Sequence, residues 1–193
     1  ELKLGLTVLQ IDAEKKRVVL SDGQEVSYEK LALCTGSKVK TIPMGASLEN
    51  IFYIRTAADG SVLSSQLKQA SNAVIIGAGY IGLESAAVIR GLGLTVTVIE
   101  LAERILQRVT GEIMSTYVSA LHEKEGVSIL TSTAVESIEG NGRVEKVVCQ
   151  DGTTLPADIV IVGVGVSSNV NLAEAAGLEI NHGIVVNQYT PTS

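Results

Sequence analysis

The sequence predicts an α/β protein: a parallel sheet covered by helices, with β-meanders attached, followed and preceded by part of a second domain of similar build. Three observations predict it. Of the 193 residues 46% are apolar and only 3% aromatic, so the core is built of Val, Ile, Leu and Ala, as suits parallel strands buried on both faces. The β-branched run Val74-Ile75-Ile76 passes through a glycine-spaced turn directly into a breaker-free segment, Ser85 to Arg90, that Gly91 and Gly93 stop. One order of elements also occurs twice: a meander, a Ser-Asp-Gly or Gln-Asp-Gly turn, a short lead-in, and a buried strand ending in glycine.

Taken in order, Leu4 to Ile11 alternates, Asp12 to Lys16 turns, Arg17 to Leu20 returns, and Ser21-Asp22-Gly23-Gln24 turns again, which is a meander. Leu31-Ala32-Leu33-Cys34 is expected to be a buried strand ended by Thr35-Gly36. A Pro- and Gly-containing connector covers Ser37 to Asn50, a short extended piece Phe52 to Thr56, and a helix Ala57 to Ala70, with Thr56 as N-cap and Val62, Leu63 and Leu67 apolar. After the glycine turn and its helix, Leu94 to Glu100 is a second buried strand. Thr110 is placed to cap a helix through Glu125, with Ile113, Tyr117 and Leu121 on one face and Gly126 beyond its end. Ser128 to Leu130, a hairpin from Ala134 to Cys149, the Gln150-Asp151-Gly152 turn and the strand Asp158 to Gly163 complete the second copy. A short helix over Val170 to Ala176 and a strand over Gly183 to Val186 are expected last.

The turn Gly77-Ala78-Gly79-Tyr80-Ile81-Gly82 has the spacing of a dinucleotide-binding loop. Gly77 permits the tight turn, Gly79 lets the backbone approach a pyrophosphate, and Gly82 lets helix and strand pack closely. The first helical N–H groups then face the anion, with the positive end of the helix dipole behind them. Glu100, at the end of the next strand, stands where a carboxylate reaches a ribose. Only the second copy of the repeat contains such a loop, so the first copy is expected to have had its own upstream of Glu1, and the chain to be a partial piece of a protein with two dinucleotide-binding domains.

Composition narrows the partners. The formal net charge of −6, without a Lys/Arg run, argues against nucleic acid and against an anionic membrane. No apolar stretch is long enough to span a bilayer and Glu1 to Leu4 has no signal-peptide shape, so a cytoplasmic location is expected. Cys34 and Cys149 form no Cys-x-x-Cys and read as buried thiols; no metal site is expected. His122 and His182 are isolated and read as surface residues. No general acid, base or nucleophile constellation is present, so no catalytic side chain is assigned.

Three stretches together resemble one family: Gly77 to Glu84, Glu100 to Val109, and Ala157 to Val166 with its Gly163-Val164-Gly165. They are similar to the FAD-dependent pyridine nucleotide-disulfide oxidoreductases, and within them to the ferredoxin reductases of the putidaredoxin and rubredoxin reductase type. Cys34-Thr35-Gly36 stands where that family has Ala-Thr-Gly. The resemblance implies a Rossmann-like FAD/NAD(P)-binding fold. It implies a partial FAD-binding domain over 1–43, an NAD-binding domain over 44–166, and a return segment toward the FAD domain over 167–193. It also implies NAD as cofactor, and FAD in the full-length protein. Gly77, Ala78, Gly79, Tyr80, Ile81, Gly82, Glu84, Glu100, Arg108, Gly163, Val164 and Gly165 would then attend the nicotinamide cofactor, and Val8, Cys34, Thr35, Gly36 and Arg55 would touch FAD. Tyr80 would lie where nicotinamide stacks on flavin, Glu84 near the carboxamide, and Arg108 on the adenosine side. The family's N-terminal flavin glycine motif and its C-terminal Gly-Asp motif are missing, and Ser167 and Ser168 stand where it often has Pro.

The activity implied is hydride transfer from NADH to FAD, then single electrons to a ferredoxin- or rubredoxin-like iron–sulfur protein, with the isolated piece inactive. The acidic balance gives no electrostatic support for docking an acidic ferredoxin. Two alternatives remain open: a disulfide reductase or NADH oxidase of the same superfamily, whose reactive Cys would lie upstream, and a non-catalytic NADH-responsive protein like the apoptosis-inducing flavoproteins. A carboxylate at Glu100 implies NADH over NADPH.

Overall fold

The computed structural model describes residues 1–192. The chain divides into two compact units: unit 1 comprises Glu1–Lys38 and Val166–Ser193, and unit 2 is Val39–Gly165.

In unit 1, β1 (Val8–Asp12), β2 (Arg17–Leu20) and β3 (Glu25–Ser27) form an antiparallel sheet in that order. Ile11, Val18 and Leu20 are buried and pack with Val8, Tyr28, Leu33 and Leu172. β4 (Ser37–Val39) follows. Leu31 to Gly36 makes no strand: Leu31, Cys34 and Gly36 are exposed. The expected buried strand is therefore absent, for a physical reason. An interior parallel strand needs a neighbour on both sides to satisfy its backbone, and the described residues of unit 1 offer no parallel sheet to receive it.

Unit 2 is built on a five-stranded parallel sheet ordered β5-β12-β6-β7-β8. Its strands in chain order are β5 (Ile51–Phe52), β6 (Asn72–Ile76), β7 (Thr95–Ile99) and β8 (Val127–Leu130), closed by β12 (Ile159–Val162). Alternate side chains go to opposite faces. Ala73, Ile75, Val96, Val98, Ile159 and Ile161 meet helices α1 (Ala57–Leu67) and α2 (Tyr80–Gly91), through Leu63, Leu67, Leu83, Ala86 and Ile89. Val74, Ile76, Ile99, Val160 and Val162 meet the second meander, β9 (Val135–Glu139), β10 (Lys146–Cys149) and β11 (Thr154–Pro156), through Ile138, Val147 and Cys149. The repeat is visible as these two three-stranded meanders, although only the second is followed by a buried strand.

α1 starts as expected at Thr56, whose hydroxyl accepts from the Asp59 N–H while the Asp59 carboxylate accepts from the Thr56 N–H, a capping box. It ends at Leu67 rather than Ala70. α3 (Glu112–Lys124) departs from the sequence reading. Gly111, not Thr110, is its N-cap, and Ile113, Tyr117 and Leu121 are exposed, Ile113 by 89%. The face turned inward instead carries Ser115, buried, with Val118 and His122 half-buried; the Oγ bonds of Ser115 to the preceding loop decide which way the helix faces. His122 is not a free surface residue, since its Nε2 lies 3.1 Å from the Leu83 carbonyl of α2.

β13 (Val166–Ser168), unforeseen, pairs with β4, and α4 (Asn171–Ala175) packs on β1. The expected strand over Gly183 to Val186 is only a single bridge, Ile180 to Ile184. Among the described residues no helix is long and apolar enough to cross a membrane.

Candidate functional site

The strand order places β7 on one side of β6 and β12 on the other, so the loops leaving the C-terminal ends of β6 and β12 diverge at a topological switch point, where open α/β sheets bind ligands. Both loops begin with glycine. Gly77 has φ 103°, and a Cβ there would meet the Gly163 carbonyl oxygen at 2.6 Å and its carbon at 2.9 Å. Its N–H donates to the Ile99 carbonyl of β7 at 2.8 Å, and the Gly163 N–H donates to the Ile76 carbonyl at 2.8 Å. A Cβ at Gly82 would overlap the Gly77 carbonyl oxygen, which is why α2 can begin so close to β6. Gly79 differs, since a Cβ there would meet nothing within 4 Å. Space lies open in front of it.

Gly79 is the N-cap of α2 with no side-chain cap, and the first helical bond runs from the Leu83 N–H to the Gly79 carbonyl at 3.0 Å. The N–H groups of Tyr80, Ile81 and Gly82 thus have no helical acceptor. An uncapped helix start behind an open glycine cradle fits an anionic pyrophosphate.

Glu100, half-buried, stands beside this loop. One carboxylate oxygen accepts from the Ala78 N–H at 2.7 Å and the other from the Ala102 N–H at 2.9 Å, and each oxygen keeps a further lone pair. The Ala78 carbonyl accepts from the Leu106 N–H at 3.0 Å. Sequence reasoning missed this residue. Leu106 is buried and has φ 52°, a region that branched non-glycine residues seldom occupy.

Gly77, Ala78, Gly79, Tyr80, Ile81, Gly82, Glu100 and Gly163 are therefore brought to one end of the sheet. Tyr80, Ile81 and Glu84 are exposed on α2, Tyr80 by 57%. Ala86 falls on the buried stripe of α2, whereas Ala87 is exposed. Val164 is half-buried against the second meander, and Gly165 is exposed at φ 105°. Arg108 is exposed in the 101–111 loop. Arg104 is not available to a phosphate, since its guanidinium bonds the Gln107 and Thr110 carbonyls and the Ser115 hydroxyl.

The remaining candidates do not join this cluster. Arg55, exposed, precedes α1 in unit 2, its N–H donating to Asp59. Val8, Cys34, Thr35 and Gly36 belong to unit 1. There the Thr35 hydroxyl donates to the Asn169 carbonyl at 2.6 Å, and Asn169 returns its amide to the Thr35 carbonyl at 2.9 Å and its N–H to the Gly36 carbonyl at 3.0 Å. Asn169 was not anticipated from the sequence, in which β13 before it was itself unforeseen. A cleft of about 390 Å³ lies beside Thr35, Lys38, Asn169, Asn171 and Leu172. A larger one, about 500 Å³, lies between Leu67, Lys68, Leu92 and Thr95, at the opposite end of the sheet from the glycine loop. Size is a poor guide here, because strand polarity puts the uncapped N–H groups at the other end. Cys34 is exposed, against expectation, while Cys149 is buried, and burial, aided by Asp151, pushes its thiol up. No cluster of metal-ligating residues occurs among the described residues.

Residues 1–193 match the family model described as pyridine nucleotide-disulphide oxidoreductase. The chain is 39% identical to putidaredoxin reductase of Pseudomonas putida, over 98% of this chain and 46% of that one. It is 40% identical to rhodocoxin reductase of Rhodococcus erythropolis, over 99% and 45%. Among solved structures it is similar to the ferredoxin reductase for the CYP199A2 system of Rhodopseudomonas palustris, with a TM-score of 0.92 and 39% identity over 97% of this chain and 47% of that one. The chain spans about half the length of the curated relatives it matches. Matched along its whole length and carrying a glycine cradle at the switch point of its sheet, the chain belongs to the pyridine nucleotide-disulphide oxidoreductase family.

Proposed function

We propose that the chain is the NADH-binding portion of a flavoprotein reductase of the ferredoxin reductase type. The observation that carries this reading is the uncapped start of α2 behind Gly77 and Gly79, with open space in front and the Glu100 carboxylate held alongside. The free N–H groups of Tyr80, Ile81 and Gly82 receive the pyrophosphate, and Gly77, Ala78 and Gly82 keep the cradle close to the sheet. Glu100 takes the ribose hydroxyls, and Arg108, exposed and without a side-chain hydrogen bond among the described residues, serves the adenosine side. Tyr80 and Glu84, exposed on the first turns of α2, and the Gly163-Val164-Gly165 backbone serve the nicotinamide end. Val8, Cys34, Thr35, Gly36 and Arg55 contribute to the FAD site of the whole protein; unit 1 holds no phosphate cradle among its described residues, so these supply only part of that site. Residues 1–43 and 167–193 then belong to the FAD-binding side and 44–166 to the NAD-binding side.

When bound, NADH supplies a hydride to FAD, whose two electrons leave singly for an iron–sulfur protein. Orientation, and exclusion of competing reactions, are what the chain's own residues contribute. A ferredoxin- or rubredoxin-like acceptor is inferred because relatives 42% and 37% identical to this chain are named a ferredoxin–NAD(+) reductase component and a rubredoxin–NAD(+) reductase. The two free cysteines suit a reducing, cytoplasmic setting.

Turnover of the whole protein with NADH and a ferredoxin tests the reading. Reduction of the ferredoxin is expected, and in single-turnover assays Tyr80→Ala and Glu84→Ala should slow flavin reduction. Reduction of a small disulfide instead, or NADH binding without any turnover, would move the protein to one of the two alternatives.

A further inference from the structure

Glu100 and the loop that follows it up to α3, residues 101–111, hold the glycine cradle at one residue, Ala78, from both sides. Ala78 gives its N–H to Glu100 and takes the Leu106 N–H on its carbonyl. To present that N–H, Leu106 adopts a left-handed φ of 52° while its side chain stays in the core, a conformation that persists only where the surroundings over-determine it. The surroundings here centre on one guanidinium. Arg104 donates through Nη1 to the Thr110 carbonyl at 2.9 Å and the Ser115 hydroxyl at 2.6 Å, and through Nη2 to the Gln107 carbonyl at 3.2 Å. Ser115, the one buried polar residue among those described, passes its own hydrogen to the Ile105 carbonyl at 2.7 Å. The Leu106 carbonyl accepts from the Val109 and Thr110 N–H groups. The guanidinium thus closes the turn that contains Leu106 and fastens it to α3.

We propose that Arg104 is a positioning residue for the dinucleotide: it locks the 101–111 loop in the conformation that presents the Leu106 N–H to the Ala78 carbonyl, so that the glycine cradle and the Arg108 side of the site are shaped before the nucleotide arrives. The inference rests on the reading of the cradle as a pyrophosphate site. Arg104 itself touches no nucleotide. Preorganisation of this kind acts on affinity, because the apparent dissociation constant rises as the fraction of molecules with the loop in place falls.

Amide hydrogen exchange and NADH titration on the full-length protein test it. Arg104→Lys keeps the charge but loses the planar fork that reaches three acceptors. It and Arg104→Ala are expected to speed exchange at the Ala78 and Leu106 amides about tenfold, with β6 and β7 still protected, and to weaken NADH by about the same factor. Unchanged exchange at the two amides overturns the clamp. Faster exchange with unchanged NADH affinity overturns the positioning role. Protection lost throughout β6 and β7 would make Arg104 a general stabiliser; Ser115→Ala, which removes one of the guanidinium's acceptors and the bond to the Ile105 carbonyl, must then loosen the same two amides selectively or the proposal falls. Wild-type protein that binds neither NADH nor NADPH would overturn the nucleotide reading instead, and the exchange at Ala78 and Leu106 would still decide the clamp.

Discussion

The Glu100 carboxylate is fixed by two backbone donors, one in the glycine loop and one after β7. Because the Ala78 and Ala102 N–H groups hold both of its oxygens, the carboxylate has no freedom to swing away from a 2′-phosphate. A like-charge contact at that distance costs several kcal/mol unless screened, so NADH is expected to bind at least about tenfold more tightly than NADPH, a factor that corresponds to roughly 1.4 kcal/mol. Dissociation constants measured at low salt check this, and equal values would remove Glu100 from the ribose. Asp158 is a second carboxylate held by backbone donors. Burial alone would raise its carboxyl, but the Ser71 and Asn72 N–H groups, donating at 2.9 and 2.8 Å, outweigh burial and hold it below the usual range. A depressed folded-state value means stability that is present above the unfolded value, about 3.9, and lost as pH falls through the folded one. The gap in urea midpoint between wild type and Asp158→Asn should therefore be constant from about pH 7 to 5 and narrow below about pH 4.

The glycine loop is legible as an element because its spacing follows from backbone sterics, yet its three glycines are not equivalent. A methyl at Gly82 collides with the Gly77 carbonyl, and backbone has nowhere to go. Gly82→Ala is expected to cost about 2–3 kcal/mol in urea denaturation and to abolish NADH binding. At Gly79 the backbone is extended, with φ −81° and ψ −176°, and the space is open. Gly79→Ala should change stability by about 1 kcal/mol or less while still weakening NADH, since the methyl occupies the space left for the ligand. Similar losses of stability in both variants would contradict this division of roles. The orientation of α3 was not legible in the same way. Ile113, Tyr117 and Leu121 form a plausible apolar stripe, but Arg104, eleven residues before Ser115, turns a polar residue inward and leaves the stripe in water.

The two units differ in completeness. Unit 2 has a sheet covered by helices on one face and by a meander on the other, whereas unit 1 has a meander, a short two-stranded pair and a strandless Leu31 to Gly36 stretch. The 193-residue chain is accordingly expected to bind NADH measurably and to hold no stoichiometric FAD. Ultraviolet–visible spectra of purified protein check it, and a tightly bound yellow flavin would overturn it.

Features that depend on local sterics and on period can be read from the residues directly. The strand–glycine–helix unit, the capping box at Thr56, the alternation of the two meanders and the acid at the end of β7 all follow from neighbours a few residues apart. Other features arise from packing between segments far apart in the chain. Whether Leu31 to Cys34 is a buried strand depends on strands able to flank it, which apolar composition does not specify. The grip on Ala78 by Glu100 and Leu106 joins residues more than twenty positions apart, through a left-handed Leu that no propensity selects. Hydrogen bonds of this range are set by how β6 and β7 lie side by side, and that pairing is a property of the folded sheet rather than of any stretch of chain.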